Sequence, residues 1–510
     1  MKNKWLLVVL IMTVAAVFRL QHITTIPPGL HPYEAINGND AVQALETGNF
    51  KVFYPENNGR EGLFINLQAL SIKVFGAHVW SLRIVSAIAG ILTVLGLYLL
   101  AARLFNWQIG AISSFLLAIS FWHVNFSRIG FSAIMAPLFL VWGLYCLWRG
   151  LSSGRFWNFA ISGIFWGLGF YTYISFRAMP LVLIFILLAY WQAIKKDFSH
   201  EKYLQTRNQI IRGLALFLII LILVALPIGY YFYTHQADFW GRTGQLSIFA
   251  LEQPPKAFLV NTIETLGMFN FVGDHSWLHN LSGQPELLWP IGALFVVGFL
   301  RSIIKFFSTR RKHGHFPTIP TLLLSWFFIG LLPVILSNEG LPNALRAIIV
   351  VPVVIIFAAE GLWWIIDKIG DWYRARDVHE YSIRHHWLKE SSIMAVFALV
   401  VLLISFTIAE YDKYFNKWVK DPNVSTAFNQ DYVSLGEKLN QMPKNIKKYV
   451  VVNAPGVLVN GIPIPAQTVM FITDTYTPEK QKAKNIFYLT EEQFARGEFD
   501  QRSAIFKLEK

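Results

Sequence analysis

The chain of 510 residues holds a single cysteine, Cys146, and it lies in an apolar run. That excludes an intramolecular disulfide, a thiolate zinc site and a redox pair, and it leaves cysteine usage silent on compartment. Charge is also sparse: Asp, Glu, Lys and Arg make up 15% of the residues against 54% hydrophobic ones. With a mean hydropathy of +0.44, this balance argues for a membrane protein and against a purely soluble enzyme. Acidic residues are scarcer still, 31 against 44 Lys and Arg, for a net charge of +13. In a soluble chain that excess would suggest nucleic acid, so its placement decides its meaning. No low-complexity segment or internal repeat is evident, which weakens the case for a transporter built from inverted repeats.

What is present is a series of apolar runs long enough to cross a bilayer. Eleven spans are expected, near 5–22, 80–102, 108–125, 132–150, 156–175, 178–194, 213–233, 287–306, 318–337, 344–366 and 393–410. Lys2 and Lys4 precede the first, but it runs into Phe18-Arg19-Leu20 without a small-residue cleavage site, so it reads as a signal anchor. Alternate loops are basic: Lys195 to Arg212, Arg301 to Lys312, and Lys368 to Lys389 with Arg374, Arg376 and Arg384. Arg242 and Lys256 are alone in 234–286. Basic loops face the cytoplasm, so the N-terminus is expected inside, the C-terminus outside, and nucleic acid is not needed to explain the charge. His313, His315, His385 and His386 fall on the inner side and read as solvated.

The expected fold is therefore an all-α polytopic membrane domain, 1–410, followed by a small extracytoplasmic α/β domain, 411–510. The tail reads as a helix near 431–441 and strands near 448–454, 467–473, 485–489 and 503–508. Two long outer loops, 23–79 and 234–286, join the tail on the outer side, where chemistry is expected.

In the first loop, His31-Pro32-Tyr33-Glu34-Ala35 opens a helix: Pro is accepted in a first turn, an acidic residue there suits the helix dipole, and Gly48 ends it. On a helical wheel Glu34 shares the stripe of Gly38, Ala41, Val42 and Leu45, while Asn39, Asp40, Gln43 and Glu46 lie elsewhere. A carboxylate turned toward protein fits a functional group or, equally, a capping or ion-paired glutamate. Farther on, Asn57-Asn58-Gly59-Arg60-Glu61 gathers polar groups ahead of the apolar helical stretch Leu63 to Phe75. The second long loop offers Asp274, His275, Trp277, His279 and Asn280. Asp274 and the two imidazoles have donor types suited to a divalent metal, but no cofactor is assigned; Trp277, His279 and Asn280 fit a sugar or acceptor better.

The order of these features resembles the GT-C superfamily of polytopic glycosyltransferases, nearest to the dolichyl-phosphate-mannose protein mannosyltransferases and the lipid A aminoarabinose transferases. The resemblance covers roughly residues 5–410. It is carried by His31 to Ala35, by Asn57 to Glu61 with Leu67-Gln68-Ala69-Leu70, by Phe126-Ser127-Arg128-Ile129-Gly130-Phe131, and by Leu341-Pro342-Asn343-Ala344-Leu345-Arg346. The family pattern in the first loop is an Asp-Glu pair whose Asp is the catalytic carboxylate; here the pair is Tyr33-Glu34.

The resemblance implies transfer of a hexose, mannose foremost, from a polyprenyl-phosphate donor to a protein, lipid or glycan acceptor at the outer face of the plasma (inner) membrane. Such a leaving group needs cations rather than a strong general acid, and one carboxylate suffices to deprotonate the acceptor for an inverting displacement. Glu34 is the expected base. Arg60, Arg128 and Arg346, ahead of Arg177, are expected to hold the donor phosphate, because an arginine fork binds two oxygens. Tyr33, Asn58, Glu61, Trp277, His279 and Asn280 are expected around the substrates. The rivals are a lipid-linked glycan transporter, against which the apolar middles of the spans count, and a catalytically weakened relative, which Tyr33 motivates.

Overall fold

The computed structural model describes residues 2–245, 247–338, 340–376, 384–500 and 502–509. The side chains of 2, 3, 197, 242–245 and 373–395 are outside the described ones, and with them Arg242, Arg374, Arg376, Arg384, His385, His386 and Lys389.

Helix α1 (Lys2–Leu20) leads into a connecting segment that carries α2 (Pro32–Thr47), the short strands β1 (Phe53–Tyr54) and β2 (Arg60–Glu61), and α3 (Gly62–Phe75). The bundle continues with α4 (Val79–Leu104), α5 (Trp107–Ile119), α6 (Phe121–Phe126), α7 (Met135–Ser153), α8 (Phe156–Gly169), α9 (Pro180–Asp197) and α10 (His200–Thr234). After α11 (Gln236–Gln245) and α12 (Pro254–Gly267) come α13 (Trp289–His313), α14 (Thr318–Ile335), α15 (Val351–Arg376) and α16 (Arg384–Tyr411).

Among the described residues, seven helices are long and apolar enough to cross a membrane: Val79–Leu104, Ser132–Ser153, Ile174–Lys196, His200–Thr234, Trp289–His313, Thr318–Ile335 and Ile348–Trp372. The protein is a multi-pass membrane protein. The other four expected spans correspond to α1, α5, α8 and α16. Of these, α5 has 13 residues and α8 has 14, short of the roughly 20 that a crossing needs, because Ser120 breaks α5 from α6 and Phe170 ends α8.

Lipid offers little hydrophobic drive between helices, so close packing of small residues holds such bundles together. Gly298 of α13 and Gly361 of α15 face each other's helix so closely that a Cβ on either would strike backbone, at Phe357 O and Leu294 O respectively.

Beyond α16 a π-helical turn (Asp412–Trp418) leads to α17 (Pro422–Ala427), α18 (Gln430–Gln441), β3 (Lys448–Asn453), the small hairpin β4 (Leu458–Val459) and β5 (Ile462–Pro463), α19 (Ala466–Thr473), α20 (Pro478–Lys484), β6 (Ile486–Thr490), α21 (Glu491–Ala495) and β7 (Ala504–Glu509). The sheet is parallel, in the order β6-β3-β7. The stretch 467–473, expected as a strand for its β-branched residues, is instead helix α19. Pro465 stands at its N-cap, and burial on two sides overrides propensity. Its Ala466, Val469 and Met470 enter the core of the tail, whereas Phe471 enters the core built around α2. That double contact seats the tail on the first connecting segment.

Candidate functional site

The site grows from α2. His31 caps its first turn: the imidazole Nδ1 accepts from Tyr33 N at 3.2 Å, while Glu34 Oε1 accepts from His31 N at 3.4 Å, a reciprocal cap. Pro32 follows at the first helical position, and Gly48 at φ 71° closes the helix.

Glu34 is sealed. Its two oxygens accept from Arg83 Nε and Nη2, both at 2.9 Å, and Oε2 also accepts from Gly130 N at 2.7 Å. Both charged side chains are essentially inaccessible, at 0% and 1% exposure. Arg83 further donates to Pro27 O and Gly29 O. A Cβ on residue 130 would stand 3.2 Å from Glu34 Oε2, so the glycine lets the backbone reach the carboxylate. In this arrangement no acceptor hydroxyl can reach Glu34. The geometry is that of an ion-paired, capping glutamate, the alternative to a base that the sequence leaves open.

Tyr33, one residue earlier, is 43% exposed and turns into a cavity of about 140 Å³. Asn37 of α2, the turn Asn57-Asn58 with Arg60 and Glu61, Phe131 to Ala133, Tyr173 and Leu345 complete the wall. The turn forms because Asn57, Asn58 and Gly59 all take positive φ, 55°, 62° and 81°, which Asn and Gly tolerate best. Strand β2 then pairs with β1, Tyr54 opposite Arg60 and Phe53 opposite Glu61, and this fixes both side chains at the cavity.

Arg60 reaches across to α2, donating to Asp40 Oδ2 at 2.6 Å and to Asn37 Oδ1 at 2.8 Å. The other oxygen of Asp40 accepts from Tyr476 OH of the tail at 3.1 Å. Burial pushes the Asp40 carboxyl above its ordinary value, and Arg60 pulls against that rise. Glu61 pairs with Arg177 at 3.4 Å. The Arg177 guanidinium stacks over Phe232 and Phe239 at 4.8 and 4.6 Å, which fixes its plane.

Other expected residues are elsewhere. Arg128 is buried away from the cavity: it donates to Phe18 O, Gln21 O and Ile26 O, closing the carbonyl end of α1, and lies over the rings of Tyr414 and Phe415. It is a clasp between α1 and the end of the bundle, and does not join Arg60 at the cavity. Arg346 donates to Ser337 Oγ, and its amide to Asn343 Oδ1; its neighbour Leu345, not Arg346, lines the cavity.

Trp277, His279 and Asn280 also lie off the cavity. Trp277 O accepts from Trp418, His279 Nδ1 pairs with Asp274 Oδ2 at 2.9 Å, and the fully buried Asn280 donates to Gln284 O and Glu286 Oε1. This knot holds the loop before α13 and anchors it to Ala344 N through Asp274. Among the described residues no cluster of His, Cys, Asp and Glu has the geometry of a metal site.

The reading of the sequence missed Arg83, Asp40 and Tyr476. Arg83 carried a signal, a lone cation in the first turn of an otherwise apolar span; Tyr476 carried none, since only the docking of the tail brings it near.

Residues 63–226 match the family model described as dolichyl-phosphate-mannose-protein mannosyltransferase. YkcB of Bacillus subtilis strain 168, a candidate mannosyltransferase, is 30% identical over 133 residues, 26% of this chain and 18% of YkcB; the match therefore spans less than a fifth of that relative. ArnT from Cupriavidus metallidurans, solved with undecaprenyl phosphate bound, superimposes with a TM-score of 0.55 at 14% identity, over 98% of this chain and 89% of ArnT. The Archaeoglobus fulgidus oligosaccharyltransferase does so with a TM-score of 0.54 at 14% identity, over 95% of this chain and 64% of its own. The oligosaccharyltransferase AglB from Archaeoglobus fulgidus has been solved in complex with an inhibitory peptide and a dolichol-phosphate. At these identities the likeness is one of fold.

Proposed function

We propose that this chain, whose fold is that of the GT-C membrane glycosyltransferases, transfers a hexose, mannose foremost, from a polyprenyl-phosphate donor to a protein, lipid or glycan acceptor. The reaction is assigned to the extracytoplasmic face of the plasma (inner) membrane, with the N-terminus inside and the tail of 411–510 outside. The observation that carries this reading is Glu61, held from behind by Arg177, at the wall of a cavity that Arg60 also lines. One carboxylate and two guanidiniums at one end of the bundle suit the chemistry. Glu61 takes the proton of the acceptor hydroxyl as its oxygen attacks the anomeric carbon, and the polyprenyl phosphate leaves from the opposite face with inversion. Arg60, which donates across to Asp40 and Asn37, balances the charge that gathers on the departing phosphate, and Arg177 orients the Glu61 carboxylate with which it is paired.

The ligands of the structural neighbours, undecaprenyl phosphate and dolichol-phosphate, favour a polyprenyl carrier here. Tyr33 favours one further reading, a relative that binds the sugar lipid with weakened turnover, because it stands in the cavity where the family has Asp. The test is mass-spectrometric detection of sugar release or transfer by protein in lipid, given a panel of polyprenyl-phosphate sugars, beside Glu61→Gln and Tyr33→Asp. Turnover of one donor that Glu61→Gln abolishes supports the assignment. Binding without turnover until Tyr33→Asp is introduced supports the weakened relative, and neither behaviour with any donor sinks both.

A further inference from the structure

We propose that the groove between α7 and α8, at the end of the bundle remote from α2, binds an anionic diacyl phospholipid. Helix α4 begins beside α2, where Arg83 meets Glu34, and its 26 residues rise roughly 39 Å. At its far end Arg103 donates to Ser152 at the end of α7, so the α7–α8 turn lies a full bilayer away from the candidate site. There a groove of about 490 Å³ opens, lined by Trp142 and Arg149 of α7, Arg155 of the turn, and Trp157, Ile161 and Phe165 of α8.

The two guanidiniums share this groove without a counter-ion. Between Glu61 and Asp197 the sequence has no Asp or Glu at all. Among the described residues no carboxylate pairs with Arg103, Arg149 or Arg155; Arg149 meets the Tyr145 hydroxyl at 3.3 Å. Two exposed arginines over one groove leave an anion as the complementary ligand. The rest of the groove is apolar: the rings of Trp142 and Phe165 stack at 5.9 Å, and Trp157 is 75% exposed at the mouth, the depth at which tryptophan marks the headgroup level. A phosphate between Arg149 and Arg155 places acyl chains along this aromatic floor, whereas a free anion would leave the floor bare.

The test is native mass spectrometry of the full chain extracted from mixed vesicles of phosphatidylglycerol and phosphatidylcholine with matched acyl chains. The wild type retains phosphatidylglycerol preferentially, and Arg149→Gln/Arg155→Gln loses retention by about fivefold per arginine. Arg311→Gln/Lys312→Gln, which removes two exposed cations at the end of α13, leaves retention unchanged. Absence of preference in the wild type, or equal loss in the two double variants, overturns the site in favour of general attraction to basic surface. If the arginine variant does not fold, photoreactive phosphatidylglycerol on the wild type decides: labels concentrated within residues 142–165 support the site, and labels spread over the bundle overturn it.

Discussion

Arg83 and Glu34, 49 residues apart, form a two-pronged ion pair in which both side chains are withdrawn from solvent. Such a pair costs desolvation on both sides and stabilises only while both members are present. Arg83→Met should therefore lower stability by about 3–5 kcal/mol, and Glu34→Met/Arg83→Met should recover only part of the loss, because the Pro27 and Gly29 carbonyls and the Gly130 amide stay unpaired. Thermal unfolding in detergent of the single and double variants reads this directly. A Glu34→Gln protein with wild-type melting and no turnover would instead restore Glu34 as the base.

Glu61 carries the opposite expectation. It is held by Arg177 at the cavity wall rather than inside the bundle, so Glu61→Gln should keep the fold. If it is the base, kcat should fall by about 10²–10⁴-fold, the usual share of a positioned proton acceptor. Melting temperature and steady-state turnover on the same preparation separate this from a structural loss, and a tenfold or smaller fall would remove Glu61 from the mechanism.

The parts legible in the sequence follow from local rules. Apolar length marks the long helices. Pro32, Glu34 and Gly48 set out α2 by their end preferences, and Asn57 to Glu61 stands out as a polar cluster ahead of α3, although its positive-φ turn appears only in the fold. What stayed hidden depends on contacts distant along the chain. Glu34 turns inward as its wheel position indicates, but whether it faces substrate or Arg83 is decided by how α4 packs. Asn39 and Asp40, off the apolar stripe, are nonetheless buried, because α19 covers that face and Gln467 takes the Asn39 amide. Arg128 has the composition of a phosphate ligand, yet three carbonyls near the end of α1 claim it.

Tyr476 should tune the site from the tail. Its hydroxyl donates to Asp40, the carboxylate that holds Arg60. A hydrogen bond to a charged group contributes about 1.5–3 kcal/mol, and Tyr476→Phe should lose an amount of that order. The loss also removes an interaction that favours ionised Asp40, so the carboxyl, already raised by burial, should rise further. Protonated Asp40 releases Arg60; donor affinity in Tyr476→Phe should therefore fall off at higher pH on acidification than in the wild type. Coincident pH profiles for the two proteins would confine Tyr476 to docking the tail.

Glu286 should give the loop before α13 a pH dependence of its own. The side chain is buried, with Asp274 N and Asn280 Nδ2 both donating to Oε1 at 2.9 and 3.2 Å. Burial lifts its carboxyl from the ordinary carboxylate value to about 8. The folded value lies above the unfolded one, so the native state binds the proton more tightly. The contribution is complete below the unfolded value and is lost as pH rises through about 8. Glu286→Gln keeps an acceptor in the same place without the charge. The two proteins should melt together below about pH 4, and the variant should become progressively more stable than the wild type as the pH rises to about 8, where the gap levels off. Lys413 is lowered by burial and raised by the Glu286 charge, so Glu286→Gln also lowers Lys413, and Lys413→Met beside both proteins separates the two contributions. A gap in melting temperature that stays constant across the range would mean that Glu286 is ionised throughout and paired.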